Sequence, residues 1–495
     1  MMQKFLKKYG FYTAIASVSL AAFVFMVFLA GEKSLWYDDI YQIYFSWNRS
    51  FIDTLKIVMQ VDLNPPLWAV ISFLWLKVAP YGTVWLKLPA IIFVTMSIFT
   101  VGLAGKELCN KKTGIICSFL FALSPLVTLE CAYTFRAYGL YLFASVFILY
   151  AYIKKLKAPS VKNRILFAFA IFLIAFTHYF GALLCVFLGA SDLFLAIKKK
   201  QPKNFFIEYV SVASLELFWF IPQLATIGTA LKSFWPARPT VLSYFKSFKY
   251  LLYNSYVMSA LLLIVLAYFV YCAVKAIMQK NYSCFLDEQN YFKIILFVIP
   301  SLFLLIIFIY SNIKPESSVW VQRYFFSLYP MLIVLVSMGC VEILEKFFSK
   351  NRKSKIVSVI SLVIISAFFI FNYSTTVYKT VNTEYEPFEN VAEEIMAQPE
   401  IKSGEKVLII NTTNCGAGWN YYLSKDNSVK MNNIHTMDLL NYSSRTILSY
   451  DVIYLYAVHF DGSFSIDDIR EEITQTHREE ILDHDRNVYK YVRIK

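Results

Sequence analysis

The chain has 495 residues, of which 58% are hydrophobic and only 16% are Asp, Glu, Lys or Arg. Soluble domains carry about 25% charged residues, so this composition excludes an ordinary soluble protein. Fifteen Gly and fifteen Pro are too few for a collagen-like or disordered chain, and 18% aromatic residues suit a chain whose main solvent is lipid.

The formal net charge of +13 is unevenly distributed. Residues 374–495 hold 12 basic and 19 acidic residues, whereas residues 1–373 hold 35 basic and 15 acidic residues. We therefore predict a transmembrane domain over 1–373 and a small α/β domain over 374–495. Hydrophobic periodicity in the second domain predicts helices at 387–396 and 466–473 and strands at 406–411, 452–458 and 488–494.

Long apolar runs in the first domain predict about eleven transmembrane helices, the first of which we interpret as a retained span. These runs lie near residues 11–31, 84–105, 113–134, 139–153, 164–180, 182–197, 205–230, 257–277, 291–311, 320–341 and 355–373.

The basic loops predict the orientation of these spans. With a cytoplasmic amino terminus, 23 of the 35 basic residues of the first domain fall on the cytoplasmic side, as the positive-inside rule favours. Residues 67–79 are also apolar, but at about 1.5 Å per residue they reach only about 20 Å, and counting them as a span would invert every later loop. The sequence thus predicts an α-helical polytopic protein of the plasma (inner) membrane, with the α/β domain on the extracytoplasmic side.

The first extracytoplasmic loop, residues 31–83, carries two adjacent carboxylates, Asp38 and Asp39. Apolar residues follow at spacings of three or four from Ile40 to Val58, which predicts a helix lying in the membrane interface. Burial at such a place can raise the pKa of a carboxyl and make it a better base. The alternative interpretation is that the two acids simply form a hydrated helix cap.

Five short blocks, each near a predicted extracytoplasmic span end, occur in a recognisable order. They are LWYDDIY from Leu35, NPPLW from Asn64, TFRAYGLYLF from Thr134, THYFG from Thr177 and QRYFFSLYP from Gln322. Together they resemble the GT-C glycosyltransferases, specifically the bacterial protein O-mannosyltransferase and aminoarabinose transferase relatives of the family 39 type. Two departures stand out, because Asp39 replaces the family's usual Glu and Asn64 replaces its usual His.

The resemblance implies an inverting glycosyltransferase, either hexosyl or pentosyl, that uses a polyprenyl-phosphate sugar donor within membrane lipid. The acceptor would be a protein, a glycolipid or a wall glycan, and no nucleic acid is implied. On this basis Asp38 is the predicted general base and Asp39 a second catalytic residue. The predicted substrate-binding residues are Asn64, Arg136, Tyr138, His178, Tyr179, Arg323 and Tyr324, with the two arginines on the donor phosphate.

Several alternatives remain open at this stage. A terminal arginine can snorkel to the interface and a lone histidine can be a packing residue. No cofactor is predicted with certainty, although the adjacent acids could hold a divalent cation. Two other classes of protein share the composition: a transporter or flippase of lipid-linked sugars, and a non-catalytic envelope polysaccharide assembly protein. The acids Asp192 and Glu208 lie near basic inner loops, and we predict that each is paired there.

Overall fold

The structure is a computed structural model that describes most of the chain. The described residues are 2–199, 206–233, 236–348, 352–383, 388–403, 405–411, 416–423, 434–438, 447, 449–456, 466–483 and 487–494.

The long apolar runs form a helical body with fifteen α-helices among the described residues. They are α1 (Met2–Ala30), α2 (Tyr37–Ser46), α3 (Phe51–Val61), α4 (Leu67–Val78), α5 (Thr83–Leu108), α6 (Lys111–Ala122), α7 (Tyr138–Lys157), α8 (Val161–Ala175), α9 (Tyr179–Lys199), α10 (Phe206–Ala230), α11 (Val241–Leu251), α12 (Tyr256–Met278), α13 (Glu288–Ile313), α14 (Tyr329–Phe348) and α15 (Arg352–Val381).

Each of the eleven predicted spans coincides with a helix. Eight helical segments in the described part of the chain are long and apolar enough to cross a membrane. A ninth is obtained if α6 and the π-helical segment Leu126–Ala132, which are bent by 59° relative to each other, count as one span. The polytopic helical class is therefore confirmed, and the number eleven stays a prediction. Helix α4 is apolar but only 12 residues long, as expected of a segment that does not span.

Close packing at the centre of the body depends on small residues. Helix α7 is largely buried, α5 packs against it, and α6 packs against α5. A Cβ atom on Gly114 of α6 would collide with the carbonyl oxygen of Gly102 on α5. Interfaces between membrane helices favour glycine for this reason, because dispersion contacts there replace the hydrophobic effect. The backbone of α5, which begins beside the candidate site, is thereby held rigidly against the core.

Two ion pairs lie at the opposite end of the body from the first loop. Lys155 Nζ is 2.6 Å from Asp192 Oδ2, and both side chains are buried. Arg164 Nε is 2.5 Å from Glu208 Oε1. The predicted pairing of these two acids is confirmed.

Between Ile40 and Val58 of the first loop, where the sequence predicts one helix, the structure has two, α2 and α3. Asn48 takes a left-handed φ of 54° and ends the run of α2. Ser50 then starts α3, because its Oγ accepts a hydrogen bond from the Asp53 amide at 3.1 Å. The prediction of a single helix through this region is wrong, since the apolar spacing continues across a break that local turn residues create. We name this end of the body the loop end.

The remaining described residues form an α/β unit. Its helices are α16 (Phe388–Met396), α17 (Pro399–Ser403), α18 (Gly416–Leu423) and α19 (Ile466–Thr474), and its strands are β1 (Val407–Asn411), β2 (Ile434–Asp438), β3 (Val452–Tyr456), β4 (His477–Asp483) and β5 (Val488–Arg493). The sheet order is β2-β1-β3-β5-β4, in which β1 is parallel to β2 and β3 while β5 is antiparallel to β3 and β4. All three predicted strands and both predicted helices are present, although 457 and 458 lie outside the described residues.

Candidate active site

The candidate site lies at the loop end, where α2 begins. Asp38 and Asp39 occupy the first turn of α2, and no side chain caps this helix start. Carboxylates are stabilised at that position because the helix dipole and the free N–H groups favour negative charge. The two acids are therefore held by backbone structure as well as by the side chains around them.

Asp38 lies between the two arginines that the sequence singles out. Its Oδ2 is 3.1 Å from Arg323 Nη2, a close ion pair without hydrogen-bond alignment. Its backbone carbonyl accepts a hydrogen bond from Arg136 Nη1 at 3.3 Å. The fold thus joins three predicted site residues from α2, the segment before α7 and the segment before α14. Segments almost 300 residues apart in sequence meet at this one residue, Arg323 at its carboxylate and Arg136 at its backbone carbonyl.

Asp39 points elsewhere and has a different set of partners. It is 1% exposed, and its Oδ1 accepts a hydrogen bond from the Phe135 amide at 2.7 Å. Burial raises the pKa of Asp39, and the nearby Lys87 ammonium opposes that rise. Because Phe135 precedes Arg136, Asp39 fixes the backbone that presents this arginine.

Lys87 is a buried residue that the sequence reasoning missed. It is 0% exposed on α5, and its Nζ donates to the carbonyl oxygens of Ala30 at 3.1 Å and Lys33 at 2.7 Å. The ammonium also lies 3.9 Å from the ring centroid of Tyr133. The sequence did contain a signal for this residue, because Lys87 lies at the fourth position of an apolar run. A charge in such a run needs a partner.

A small cavity next to Asp38 gathers four of the predicted substrate-binding residues. Its lining consists of Gln42, Asp62, Asn64, Pro65, Trp68, Ala69, Arg136, Ala137, Tyr138 and His178. The prediction included Asn64, Arg136, Tyr138 and His178, and missed Gln42 and Asp62. Gln42 is 2% exposed, and its Nε2 finds no hydrogen-bond partner among the described residues. A buried amide group aimed at a cavity is suited to a polar ligand or to water.

Asp62 supplies the carboxyl group in the lining of this cavity. Its Oδ1 accepts hydrogen bonds from the Leu63 amide at 2.8 Å and from Asn64 Nδ2 at 3.0 Å. Burial raises the pKa of Asp62, and the Arg136 guanidinium opposes that rise. The position of Asp62, two residues before the NPPLW block, was the signal that could have revealed it.

The remaining predicted residues divide between two places. His178 stacks on Tyr141 at 4.7 Å and contacts the Tyr324 ring at 4.9 Å between centroids, so Tyr324 borders the site through His178. Arg323 lies 5.4 Å from the Trp36 ring and 5.9 Å from the Tyr138 ring. Tyr179 instead donates its hydroxyl hydrogen to Gln223 Oε1 on α10. It is one residue from His178 but faces a different helix.

The adjacent acids do not form a shared cation site. Asp38 is directed to Arg323, whereas Asp39 is directed to the Phe135 amide, so their carboxylates diverge. Across the part of the chain that the structure describes, no group of three or more His, Cys, Asp or Glu side chains is arranged to hold a metal ion.

Comparison with solved structures identifies the fold. The chain is similar to ArnT from Cupriavidus metallidurans bound to undecaprenyl phosphate, with a TM-score of 0.60, 10% identity and 98% of each chain covered. The apo form of that protein gives a TM-score of 0.59, 10% identity and coverage of 99% and 98%. The chain has the GT-C fold.

A second type of GT-C protein is also similar. The apo oligosaccharyltransferase of Archaeoglobus fulgidus has a TM-score of 0.52 and 11% identity, with 91% of this chain and 70% of that chain covered. No family model matches the sequence. No curated protein matches it either. The likeness to these structures is thus one of fold. The evidence for a function comes mainly from the residues of the site.

The α/β unit packs directly on the loop that carries the acids. Tyr421 of α18 stacks on Tyr81 with ring centroids 4.2 Å apart, and its hydroxyl oxygen accepts a hydrogen bond from the Gly82 amide at 3.1 Å. Tyr422 lies 2.9 Å from the hydroxyl of Thr83, which in turn donates to Glu389 of α16. Thr83 begins the helix that carries Lys87. The α/β unit therefore contacts α5 about one helical turn from the lysine that lies near Asp39.

We expect replacement of Tyr421 with Ala to destabilise the protein by about 3 to 5 kcal/mol, as for other buried aromatic truncations. Tyr421→Phe keeps the stacking and loses only the hydrogen bond, so its expected cost is about 1 kcal/mol. Thermal unfolding of the purified protein in detergent measures both. Ile481→Ala, at a side chain that is 57% exposed on the sheet, is the matched control and should change little. Equal unfolding of all three variants would show that α18 does not stabilise the first loop.

Proposed function

We propose that this chain is an inverting glycosyltransferase. It transfers a monosaccharide, hexose or pentose, from a polyprenyl-phosphate donor to a hydroxyl of a protein, glycolipid or wall-glycan acceptor. The observation that carries the proposal is the convergence of two arginines on one residue, Asp38, at the loop end of a GT-C fold: Arg323 contacts its carboxylate and Arg136 bonds its backbone carbonyl. The basic loops support placing this end on the extracytoplasmic face of the plasma membrane.

The donor lipid follows from the charges at the site. A sugar linked to a lipid through phosphate presents an anion at the membrane surface, and guanidinium groups bind phosphate oxygens with paired hydrogen bonds. Arg136 and Arg323 both contact Asp38. The similar ArnT structure, which is bound to undecaprenyl phosphate, supports this class of donor.

The transfer step is a single displacement. Asp38 accepts the proton of the acceptor hydroxyl, and the acceptor oxygen forms a bond to the anomeric carbon from the face opposite the phosphate. The bond between the anomeric carbon and the phosphate oxygen breaks, and its electron pair stays on the phosphate. Arg323 and Arg136 stabilise the charge that develops there. No acid is needed on the leaving side, because phosphate departs without protonation.

The ion pair between Asp38 and Arg323 gives the donor a second role. Arg323 Nη2 is 3.1 Å from the carboxylate of the base. A phosphate that binds Arg323 competes with Asp38 for the same guanidinium, and the carboxylate becomes available to the acceptor. Donor binding would therefore activate the base.

Sugar transfer in membranes tests the proposal. We expect wild-type membranes to move label from a radiolabelled polyprenyl-phosphate sugar to an acceptor, and Arg323→Gln to lower that rate about 10² to 10³-fold, the usual effect of removing one charge-stabilising group. Arg323→Lys should recover part of the rate, because it keeps the charge but loses the paired hydrogen bonds. Arg238→Gln is the control, since Arg238 is exposed and bonds Asn312 instead. Full activity of Arg323→Gln would exclude the phosphate role.

A further inference from the structure

Gln223 is a buried amide in a mostly apolar span. It is 0% exposed on α10, whose neighbouring side chains Phe218, Ile221 and Leu224 are exposed by 82%, 58% and 47%. An amide placed in lipid is costly unless its hydrogen-bonding groups have partners. A leucine at this position would suit the span better, so the contacts of Gln223 call for an explanation.

The amide nitrogen of Gln223 binds the end of α3. Nε2 donates to the carbonyl oxygen of Asp62 at 2.7 Å and lies 3.4 Å from those of Val58 and Asn64. The next turn of α10 repeats the contact, because Thr226 Oγ1 donates to the Met59 carbonyl oxygen at 3.1 Å. The last carbonyl groups of a helix have no partners within that helix. Gln223 and Thr226 thus cap α3 from a neighbouring span.

The amide oxygen of Gln223 is held as firmly as the nitrogen. Oε1 accepts hydrogen bonds from Trp219 Nε1 at 3.0 Å and from the hydroxyl of Tyr179. Both donors lie on helices of the body, so the amide has one orientation, with its nitrogen toward residues 58–64. Tyr179, a predicted substrate-binding residue, acts on the loop through Gln223 in this arrangement.

The loop that Gln223 holds is the one that forms a wall of the cavity. Two of the carbonyl groups that accept from Gln223 Nε2 belong to Asp62 and Asn64, which follow α3. The side chains of these two residues line the cavity together with Arg136. We propose that Gln223 is a positioning residue for transfer, which fixes the backbone of 58–64 so that these two side chains face Arg136. This inference rests on the proposed function for its catalytic consequence, but its structural part does not.

The structural part can be tested without activity. The measurement is the rate at which a maleimide labels Asn64→Cys in the full-length protein, with Gln223 or with Gln223→Leu. Labelling of the matching chain without Asn64→Cys is subtracted as background. Leucine suits a membrane span, so the fold should persist, and the released loop should raise the labelling rate about tenfold or more. Thr229→Val, at an exposed threonine of the same helix that bonds Ala225 within the helix, should leave the rate unchanged. An unchanged rate in Gln223→Leu would overturn the proposal.

The catalytic part is tested by a double-mutant cycle in the transfer assay. We expect Gln223→Leu to lower kcat about tenfold, and to cost much less in an Asp62→Ala background, because both changes act through the same loop. If Gln223→Leu lowered kcat by the same factor in both backgrounds, the damage would be independent of Asp62, and the positioning role would be overturned. Tyr179→Phe, which removes one donor to Oε1, should show a smaller loss with the same non-additivity. Wild-type protein without any transfer, together with faster labelling of Gln223→Leu, would overturn the proposed function and the catalytic part, and leave the loop contact supported.

Discussion

Replacement of Asp38 with Asn should lower sugar transfer by about 10² to 10⁴-fold, the range that a positioned general base contributes. The carboxamide has nearly the same shape and can still contact Arg323 through its oxygen, but it cannot accept the proton of the acceptor hydroxyl. The protein should therefore fold and bind donor normally. The measurement is the initial rate of transfer by purified protein at saturating donor, together with the thermal unfolding temperature.

Two further variants define the specificity of that result. Asp38→Glu keeps the carboxylate but displaces it by one methylene, and we expect an intermediate rate. Asp53→Asn is the matched control, because Asp53 lies exposed in the first turn of α3, in the same loop as Asp38. A fully active Asp38→Asn protein would remove Asp38 from the mechanism. A loss of rate in Asp53→Asn as large as in Asp38→Asn would point to general damage of the loop.

Replacement of Lys87 with Met should destabilise the protein by about 3 to 5 kcal/mol, because it leaves Asp39 buried without its counter-charge. The two carbonyl groups of Ala30 and Lys33 lose their donor as well. The double variant Lys87→Met with Asp39→Asn should recover part of the loss, since it removes the unpaired charge. Thermal unfolding in detergent measures all three, and the control is Lys77→Met, at an exposed lysine of α4.

The loss in Lys87→Met should depend on pH in a defined direction. Burial raises the pKa of Asp39 in the folded protein above its value in the unfolded chain. The folded state then binds more protons, so the contribution of Asp39 to stability is full at pH below the unfolded pKa and is lost as pH rises through the folded value. The variant should therefore be closest to wild type in mild acid. A deficit that grows on acidification would contradict the burial of Asp39 beside Lys87.

The part of the site that could be predicted from the sequence is the part built by residues at the ends of neighbouring spans. The predicted topology puts the five blocks on one side of the membrane. Contact between Arg136, Arg323 and Asp38 then requires only that the spans pack as one body. The roles of Asp39 and Tyr179 could not be predicted in that way. Asp39 is adjacent to Asp38 and Tyr179 is adjacent to His178, but successive residues near a helix start point about 100° apart, so neighbours in sequence face different partners.

Other features depend on tertiary contacts that leave little trace in local sequence. Lys87 is stabilised by carbonyl groups at the end of α1, and no pattern within α5 announces them. Strand β4, with the sequence HREEILD, lacks a continuous apolar run because it is the edge strand of the sheet and is only partly buried. The packing of Tyr421 on Tyr81 joins residues 340 positions apart. Lys87 and Tyr421 each position an element of the site, and neither shows a periodicity of its own.

The most direct test of the account is the fate of the donor lipid in sealed proteoliposomes that contain the purified protein. We predict that radiolabelled sugar leaves the polyprenyl phosphate and appears on acceptor with inverted anomeric configuration, that one free polyprenyl phosphate forms per sugar transferred, and that Asp38→Asn stops both while Asp53→Asn does not. Sugar that crosses the bilayer while still attached to its lipid, with no free polyprenyl phosphate released, would contradict the account and indicate a flippase instead.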